Sequence, residues 1–174
     1  MKSFKQFLAE EEKKKSYQVY CDMDGVLVDF IGGVMKELNI NREPNQKELD
    51  TFLSTLAGSS KEFWSELDWM PDARKLWDTL KDLNTEILSA CPTNCKFQPS
   101  VIKGKKKWCQ KNLGITKGIN ITTRRGKIRF VGEKTILIDD YIKTVKEWKA
   151  KGGIAIHHKS ARQTLSELKK ILLG

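Results

Sequence analysis

Pairs of aspartates stand at two places where the sequence predicts that a strand ends. Asp22 and Asp24 lie one residue apart after one apolar run, and Asp139 and Asp140 follow another. Carboxylates are costly to bury without a neutralising cation, and ligands bind at the carboxyl ends of the strands in open α/β sheets. The spacing therefore predicts a ligand or metal site at one edge of a parallel sheet.

The segment around Asp22 and Asp24 has two other interpretations. Asp-x-Asp-Gly also occurs in ordinary turns, and its spacing alone does not distinguish a turn from a site. It opens calcium-binding loops as well, which need an oxygen ligand at the fifth position, glycine at the sixth and glutamate at the twelfth. Val26, Leu27 and Gly33 occupy those positions, which excludes the calcium loop. The preceding strand and the apolar residues after the glycine favour a functional site over a plain turn.

Ser89 stands at the end of a further predicted strand. If these strands are neighbours, four carboxylates and a hydroxyl gather at one edge of the sheet, and Mg²⁺ with its oxygen ligands neutralises such a cluster. This set suits phosphoryl transfer to a carboxylate, with Asp22 as the nucleophile and Asp24 as the acid–base group. The two point in different directions because residues alternate along an extended segment. A lysine nearby would balance the charge of the phosphate.

Strands and helices alternate five times along the chain, which predicts a parallel sheet with helices on both faces. The strands are predicted at 17–21, 85–89, 118–123, 135–138 and 154–157, and the helices at 30–38, 46–56, 60–67, 72–83, 102–113, 141–151 and 161–173. Residues 124–132 are predicted to form a basic loop or hairpin. The predicted fold class is α/β, a three-layer Rossmann-like parallel sheet with a small helical cap inserted after the first strand.

Three parts of the chain follow from this pattern. They are an N-terminal helix or arm over 1–15, a core over 16–31 and 71–174, and a helical cap over 32–70. The cap has an aromatic side whose rings either form its own core or face a substrate. We assign Phe30, Phe63 and Trp64 to the substrate pocket.

The formal charge of +10 and the pI of about 9.4 favour anionic partners, without choosing between nucleotides, nucleic acid and acidic surfaces. The four cysteines and two adjacent histidines lack the spacing of a zinc site, and reduced thiols are expected in the cytosol. No run reaches the ~18 apolar residues of a membrane span, and no signal peptide is visible. We therefore predict a cytoplasmic monomer or homodimer without a membrane partner.

The motifs that carry the predicted chemistry resemble, in the same order, those of the haloacid dehalogenase (HAD) superfamily of phosphatases. They are Asp22–Leu27, Ser89, a later lysine and Ile138–Asp140. A closer likeness is to the 5'(3')-deoxyribonucleotidases of that superfamily, whose opening motif is similar to Asp24–Phe30. The other similar segments are Phe63–Trp64, Met70–Ala73, Lys107–Trp108 and Leu113–Gly114.

The resemblance implies a magnesium-dependent phosphatase that acts through an aspartyl-phosphate. It implies that Mg²⁺ is held by Asp22, the backbone carbonyl of Asp24 and the pair Asp139 and Asp140. The substrate phosphate would be held by Gly25, Ser89 and a lysine. The opening residues 1–8 also look like the start of some tailed-phage proteins, a source that would suit nucleotide salvage in the host cytoplasm.

The chain departs from the family pattern in two places. Ala90 and Cys91 follow Ser89 where the family has a threonine-serine-proline loop, so one phosphate-binding hydroxyl is missing or displaced. The family lysine fits best at Lys127, but the stretch from there to the acidic pair is longer than expected. Lys134 and Lys106 are the alternatives.

Three functions fit the sequence. The first is a phosphatase for (deoxy)nucleoside monophosphates, because a short aromatic cap closes over a small substrate better than over a polymer. The second is a phosphatase for phosphorylated ends of DNA or RNA, which the basic stretches 103–108 and 124–129 favour unless they are only solvated surface. The third is a non-catalytic basic binding protein on the same fold, against which the four costly acids argue.

Overall fold

Five parallel strands form the central sheet in the order β3-β2-β1-β4-β5. They are β1 Gln18–Cys21, β2 Thr85–Ala90, β3 Ile119–Thr122, β4 Thr135–Asp139 and β5 Ile154–His157. In the register, Cys21 at the end of β1 pairs with Ile87 on one side and Ile138 on the other. The residues that follow these positions therefore meet at one edge, as the sequence predicts.

The structure is a computed structural model that describes residues 16–173. The predicted helix or arm over 1–15 lies outside the described residues. The helices are α1 Phe30–Leu38, α2 Gln46–Ser54, α3 Lys61–Ser65, α4 Ala73–Leu80, α5 Gln98–Leu113, α6 Ile142–Ala150 and α7 Ala161–Leu173, with a 3₁₀ helix at Arg125–Phe130. Within 16–173, no helix is long and apolar enough to cross a membrane.

Both faces of the sheet are covered, because successive residues of one strand enter different apolar clusters. Ile136 and Ile138 of β4 belong to the larger cluster, whereas Leu137 between them packs with Val145 and Trp148 of α6. Strands buried on both faces are typical of parallel sheets, since crossover helices cover each side. The predicted three-layer α/β class is confirmed.

Helices α1–α3 form an insert between β1 and β2, and the end of this insert packs closely on α5. A Cβ at Gly104 of α5 would lie 2.6 Å from the carbonyl oxygen of Lys61 and 2.7 Å from Cβ of Trp64. The indole of Trp108 donates a hydrogen bond of 2.7 Å to the carbonyl oxygen of Leu67. The insert is thus fixed to a core helix by close backbone approach and buried hydrogen bonding.

Two segments differ from the sequence-based expectation. Helix α5 begins at Gln98 rather than near 102, because Pro99 fits the first helical turn, where no backbone N–H is needed. The expected loop or hairpin at 124–132 contains a 3₁₀ helix instead. Its turn is closed by the Gly126 N–H, which donates to Thr123 Oγ1, and it directs Lys127 into the interior.

The close approach at Gly104 makes a testable prediction. Helix propensity alone favours Gly104→Ala by about 1 kcal/mol, but the added methyl group would overlap α3. We expect the substitution to lower the free energy of unfolding by about 1–3 kcal/mol, measured by urea denaturation.

The matched control is Gly132→Ala, where the nearest atom to a Cβ is Thr135 Cγ2 at 3.4 Å. The control is expected to leave the stability unchanged or raise it by up to ~1 kcal/mol. A Gly104→Ala protein as stable as this control would contradict the tight contact between insert and α5.

Candidate active site

Asp22 and Asp24 are positioned by a tight turn at the end of β1. The Asp22 N–H donates to the carbonyl oxygen of Ile138, which continues the β1–β4 pairing by one residue, and Asp22 Oδ1 accepts from the Met23 N–H at 2.8 Å. Gly25 has a φ of +74°, and a Cβ there would lie 2.1 Å from Asp140 Oδ2. Glycine is therefore required for the chain to turn beside the second acidic pair.

The second acidic pair lies at the end of β4, next to Asp22. Asp139 is fully buried, and its Oδ1 accepts from the Tyr141 N–H at 2.8 Å. One carboxylate oxygen each from Asp22, Asp139 and Asp140 lies within 4.8 Å of the others. Oxygens at this spacing from three carboxylates are a donor set suited to Mg²⁺, so these residues could hold the ion.

Lys127 is the cation that neutralises the two buried carboxylates. Its Nζ lies 2.8 Å from Asp22 Oδ2 and 2.7 Å from Asp139 Oδ2, and the side chain is 2% exposed. Burial opposes the charged form, but the two carboxylates outweigh it and raise the pKa of Lys127 above its usual value. Of the three lysines considered from sequence, this one reaches the acids, whereas Lys106 and Lys134 are exposed.

A second buried lysine, Lys105, is absent from the sequence-based prediction. Its Nζ lies 2.5 Å from Asp24 Oδ2, 3.0 Å from Ser89 Oγ and 2.9 Å from the Ala90 carbonyl oxygen. The signal that could have revealed it is helical periodicity. Lys105 falls on the buried stripe of α5 with Val101 and Cys109, and a lysine on such a stripe needs a carboxylate partner.

The charges of the site do not cancel among its own side chains. Four aspartates face two lysines, which leaves a formal deficit of two positive charges. Desolvation and the charges of Asp22, Asp139 and Asp24 raise the pKa of Asp140 to about 7. A divalent cation would supply the missing charge.

A cavity of about 930 Å³ opens in front of the acids. Besides Asp22, Asp24 and Asp140, its walls include Phe30, Met35, Asn41, Arg42, Met70 and Tyr141. Among the described residues that line it, the predicted pocket residues Phe63 and Trp64 do not appear. Trp64 is 1% exposed, with its ring stacked on that of Phe30 at 5.1 Å between centroids. Met35, Arg42 and Tyr141 were not predicted, because periodicity does not reveal which surface residues flank a site.

Comparison with known proteins gives structural likeness only. No protein-family model matches the sequence, and no curated protein sequence matches it. A hydrolase from Streptococcus pneumoniae TIGR4 is similar in structure, with a TM-score of 0.52 and 11% identity over 88% of this chain and 99% of that chain. A HAD-superfamily hydrolase from Ehrlichia chaffeensis is similar with a TM-score of 0.50 and 16% identity, covering 92% and 99%.

A HAD-family hydrolase from Deinococcus radiodurans R1, solved with bound phosphate and sodium, has a TM-score of 0.50 and 11% identity, covering 91% of this chain and 89% of that one. At such identities the likeness establishes the fold alone. The chain has the fold of the HAD-superfamily hydrolases.

The raised pKa of Asp140 predicts how pH and metal act on stability. Between the ordinary carboxyl pKa of about 4 and the folded value of about 7, the folded state binds more protons than the unfolded state, so its stability falls as pH rises through this range. The substitution Asp140→Asn removes the ionisable group and with it this loss of stability at high pH. In EDTA at pH 8 we expect the variant to gain on the order of 1 kcal/mol after allowance for solvent screening, or about 2–4 °C in Tm.

In Mg²⁺, wild type should become more stable than Asp140→Asn, the reverse of the order expected in EDTA. Wild type is expected to gain Tm on addition of Mg²⁺, and Asp140→Asn to gain much less. The control Glu133→Gln, exposed near the opposite end of β4, should respond to Mg²⁺ as wild type does. Equal Mg²⁺ responses of wild type and Asp140→Asn by differential scanning fluorimetry would contradict the assignment of Asp140.

Proposed function

We propose that the protein is a magnesium-dependent phosphatase that dephosphorylates (deoxy)nucleoside monophosphates through an aspartyl-phosphate on Asp22. The observation that carries this proposal is the Asp22 carboxylate, which Lys127 contacts directly and which shares its surroundings with Asp139 and Asp140. A lone carboxylate is a poor match for an anionic phosphate. Cations that contact the same carboxylate lower the electrostatic repulsion between it and the phosphate.

Asp22 would act as the nucleophile in the first step. One carboxylate oxygen bonds to phosphorus while the bond from phosphorus to the leaving ester oxygen breaks. Lys127 uses two of its three N–H donors on Asp22 and Asp139, which leaves one for a phosphate oxygen among the described contacts. Water then displaces the phosphate from Asp22 and restores the carboxylate.

Asp24 would move the protons of both steps. Its Oδ2 is paired with Lys105, whereas its Oδ1 is buried without a hydrogen-bond partner among the described residues. Burial raises the pKa of Asp24, although the neighbouring ammonium of Lys105 opposes the rise. The carboxyl group of Asp24 would hold a proton for the leaving oxygen and afterwards accept one from water.

Mg²⁺, held by Asp22, Asp139 and Asp140, would supply positive charge to the transferring phosphate oxygens. The backbone carbonyl of Asp24, implied by the family resemblance, would complete the protein ligands. The donor set, the charge deficit and the raised pKa of Asp140 support this assignment. The phosphate bound in the similar hydrolase from Deinococcus radiodurans is consistent with a phosphate ligand at this fold.

The cavity supports a nucleotide as substrate. Its apolar walls at Phe30, Met35 and Met70 suit a base or sugar, and Asn41 and Arg42 add polar groups. Pockets with mostly apolar walls and a few polar groups are typical of small-molecule sites. The likeness to the deoxyribonucleotidases noted from sequence points to the same substrate class.

A second candidate is the phosphorylated end of a nucleic acid. The cavity shares Gly32, Met35, Asn41 and Arg42 with a further cavity of about 710 Å³ that also includes Lys36. Such a groove has room for more than one nucleotide. A substrate held along it by several phosphates would lose affinity steeply with salt, whereas a mononucleotide would not.

The decisive test of the catalytic proposal is Asp22→Asn assayed with Mg²⁺. The panel comprises deoxynucleoside and ribonucleoside monophosphates and 3'- and 5'-phosphorylated oligonucleotides, each at two salt concentrations. We expect turnover of mononucleotides, and a loss of at least about 10³-fold in the variant because no other carboxylate occupies the position of the nucleophile. Acid quenching with ³²P-labelled substrate should trap a hydroxylamine-labile label in wild type only.

The matched control is Asp82→Asn, which removes an exposed carboxylate and should leave turnover unchanged. Activity of Asp22→Asn within tenfold of wild type would contradict the mechanism. Faster, salt-sensitive hydrolysis of the oligonucleotides would select the second candidate instead.

A further inference from the structure

Lys105 is completely buried beside the proposed acid–base group, and its surroundings define its role. The ammonium has three donors, and three acceptors surround it, namely Asp24 Oδ2, Ser89 Oγ and the carbonyl oxygen of Ala90. With every donor used, it has none left for a substrate phosphate in this arrangement. Lys127 differs, because its contacts with the described residues engage only two of its three donors.

The position of Lys105 is fixed from the other side by the insert. Its Nζ lies 4.6 Å from the ring centroid of Trp64, a cation–π contact. At the preceding residue, Gly104, an added Cβ would lie 2.6 Å from the carbonyl oxygen of Lys61 in α3, so the two helices approach closely there. An ammonium confined by a ring, a hydroxyl and a backbone carbonyl has little freedom to follow a moving carboxylate.

The consequence falls on Asp24. Because Lys105 binds Oδ2, rotation of the carboxylate would break a buried ionic hydrogen bond, which is costly. The other oxygen, Oδ1, is buried and has no hydrogen-bond partner among the described residues, so the bond from Lys105 to Oδ2 is the contact that sets the orientation of the carboxylate. The last two residues of β2, Ser89 and Ala90, are held by the same ammonium.

We propose that Lys105 is a positioning residue for the acid–base step, which fixes the orientation of the Asp24 carboxylate through its bond to Oδ2. This inference rests on the proposed phosphatase function. It assigns Lys105 neither to the substrate phosphate nor to charge neutralisation alone. The three roles differ in which kinetic quantity changes when the lysine is removed.

The test compares two esters in the variant Lys105→Met. The oxygen of a nucleoside monophosphate leaves as an alkoxide and needs a proton, whereas nitrophenolate leaves from p-nitrophenyl phosphate without one. We expect kcat for the nucleotide to fall by about 10²–10⁴-fold and kcat for p-nitrophenyl phosphate by less than about tenfold. Inhibition by inorganic phosphate should stay within about threefold of wild type, since Lys105 does not bind it.

Two further variants make the comparison specific. Asp24→Asn should show the same dependence on the leaving group, and the double variant with Lys105→Met should lose no more than Asp24→Asn alone, because the two residues act as one unit. Lys106→Met removes the adjacent exposed lysine and should behave as wild type. If Lys105→Met does not fold, the same ratio is measured in Lys105→Gln, which keeps an amide donor.

Each other outcome overturns the assignment. An equal loss of kcat on both esters would make Lys105 a structural residue, and a weaker inhibition by phosphate would make it a phosphate ligand. No loss on either ester would leave it without a role in turnover. A wild type that hydrolyses neither ester would overturn the proposed function and this inference together, whereas the first three outcomes leave the phosphatase proposal intact.

Discussion

Four carboxylates lie together at one edge of the sheet, and the site can form only if their mutual repulsion is neutralised. Asp22 and Asp139 are held together by Lys127, which lies between them in a nearly solvent-free interior. Asp24 is held by Lys105 a short distance away. Two buried ammonium groups face four acids, so the cluster lacks two positive charges. Desolvation and the unneutralised neighbouring charges raise the pKa of Asp140 to about 7. A site with such a deficit of positive charge is prepared for a cationic ligand.

The fold supplies this arrangement through the register of parallel strands. β1 lies between β2 and β4, so the residues that follow Cys21 meet those that follow Ile138 on one side and Ile87 on the other. Each strand ends in a loop, where a polar side chain can leave the apolar layers. The two lysines come from connections between strands, one from α5 between β2 and β3 and one from the 3₁₀ helix between β3 and β4. The sheet thus determines where the aspartates lie, and the segments that connect the strands supply the lysines that pair with them.

Besides lining the cavity, the insert has a structural role. The ring of Phe30 stacks on that of Trp64, and Trp64 also faces the ammonium of Lys105. Close packing at Gly104 joins this layer to α5. Replacing the glycine would move α3 relative to α5, and with it the lysine that holds Asp24. Insert, helix and acid–base group are therefore connected by direct contacts.

The sequence was sufficient to predict the sheet, its flanking helices and the meeting of Asp22 with Asp139 and Asp140, because strand ends in a parallel sheet share an edge. Lys127 was predicted among three alternatives, since only tertiary structure shows which lysine turns inward. Lys105 was missed because it lies in a run of exposed lysines, and its burial follows from helical phase rather than from composition. Trp64 was assigned to the pocket from its type, but an aromatic side chain on an insert serves equally well as its core.

The central claim is that Asp22 accepts a phosphoryl group beside a divalent cation held by Asp139 and Asp140. A crystal structure of the protein with Mg²⁺ and beryllium fluoride, a mimic of the phosphoryl group, tests it most directly. The account predicts a beryllofluoride bonded to a carboxylate oxygen of Asp22, with Mg²⁺ ligated by Asp22 and the second acidic pair and Lys127 contacting a fluorine. Beryllofluoride bound to another residue, or Mg²⁺ bound away from these carboxylates, would contradict it.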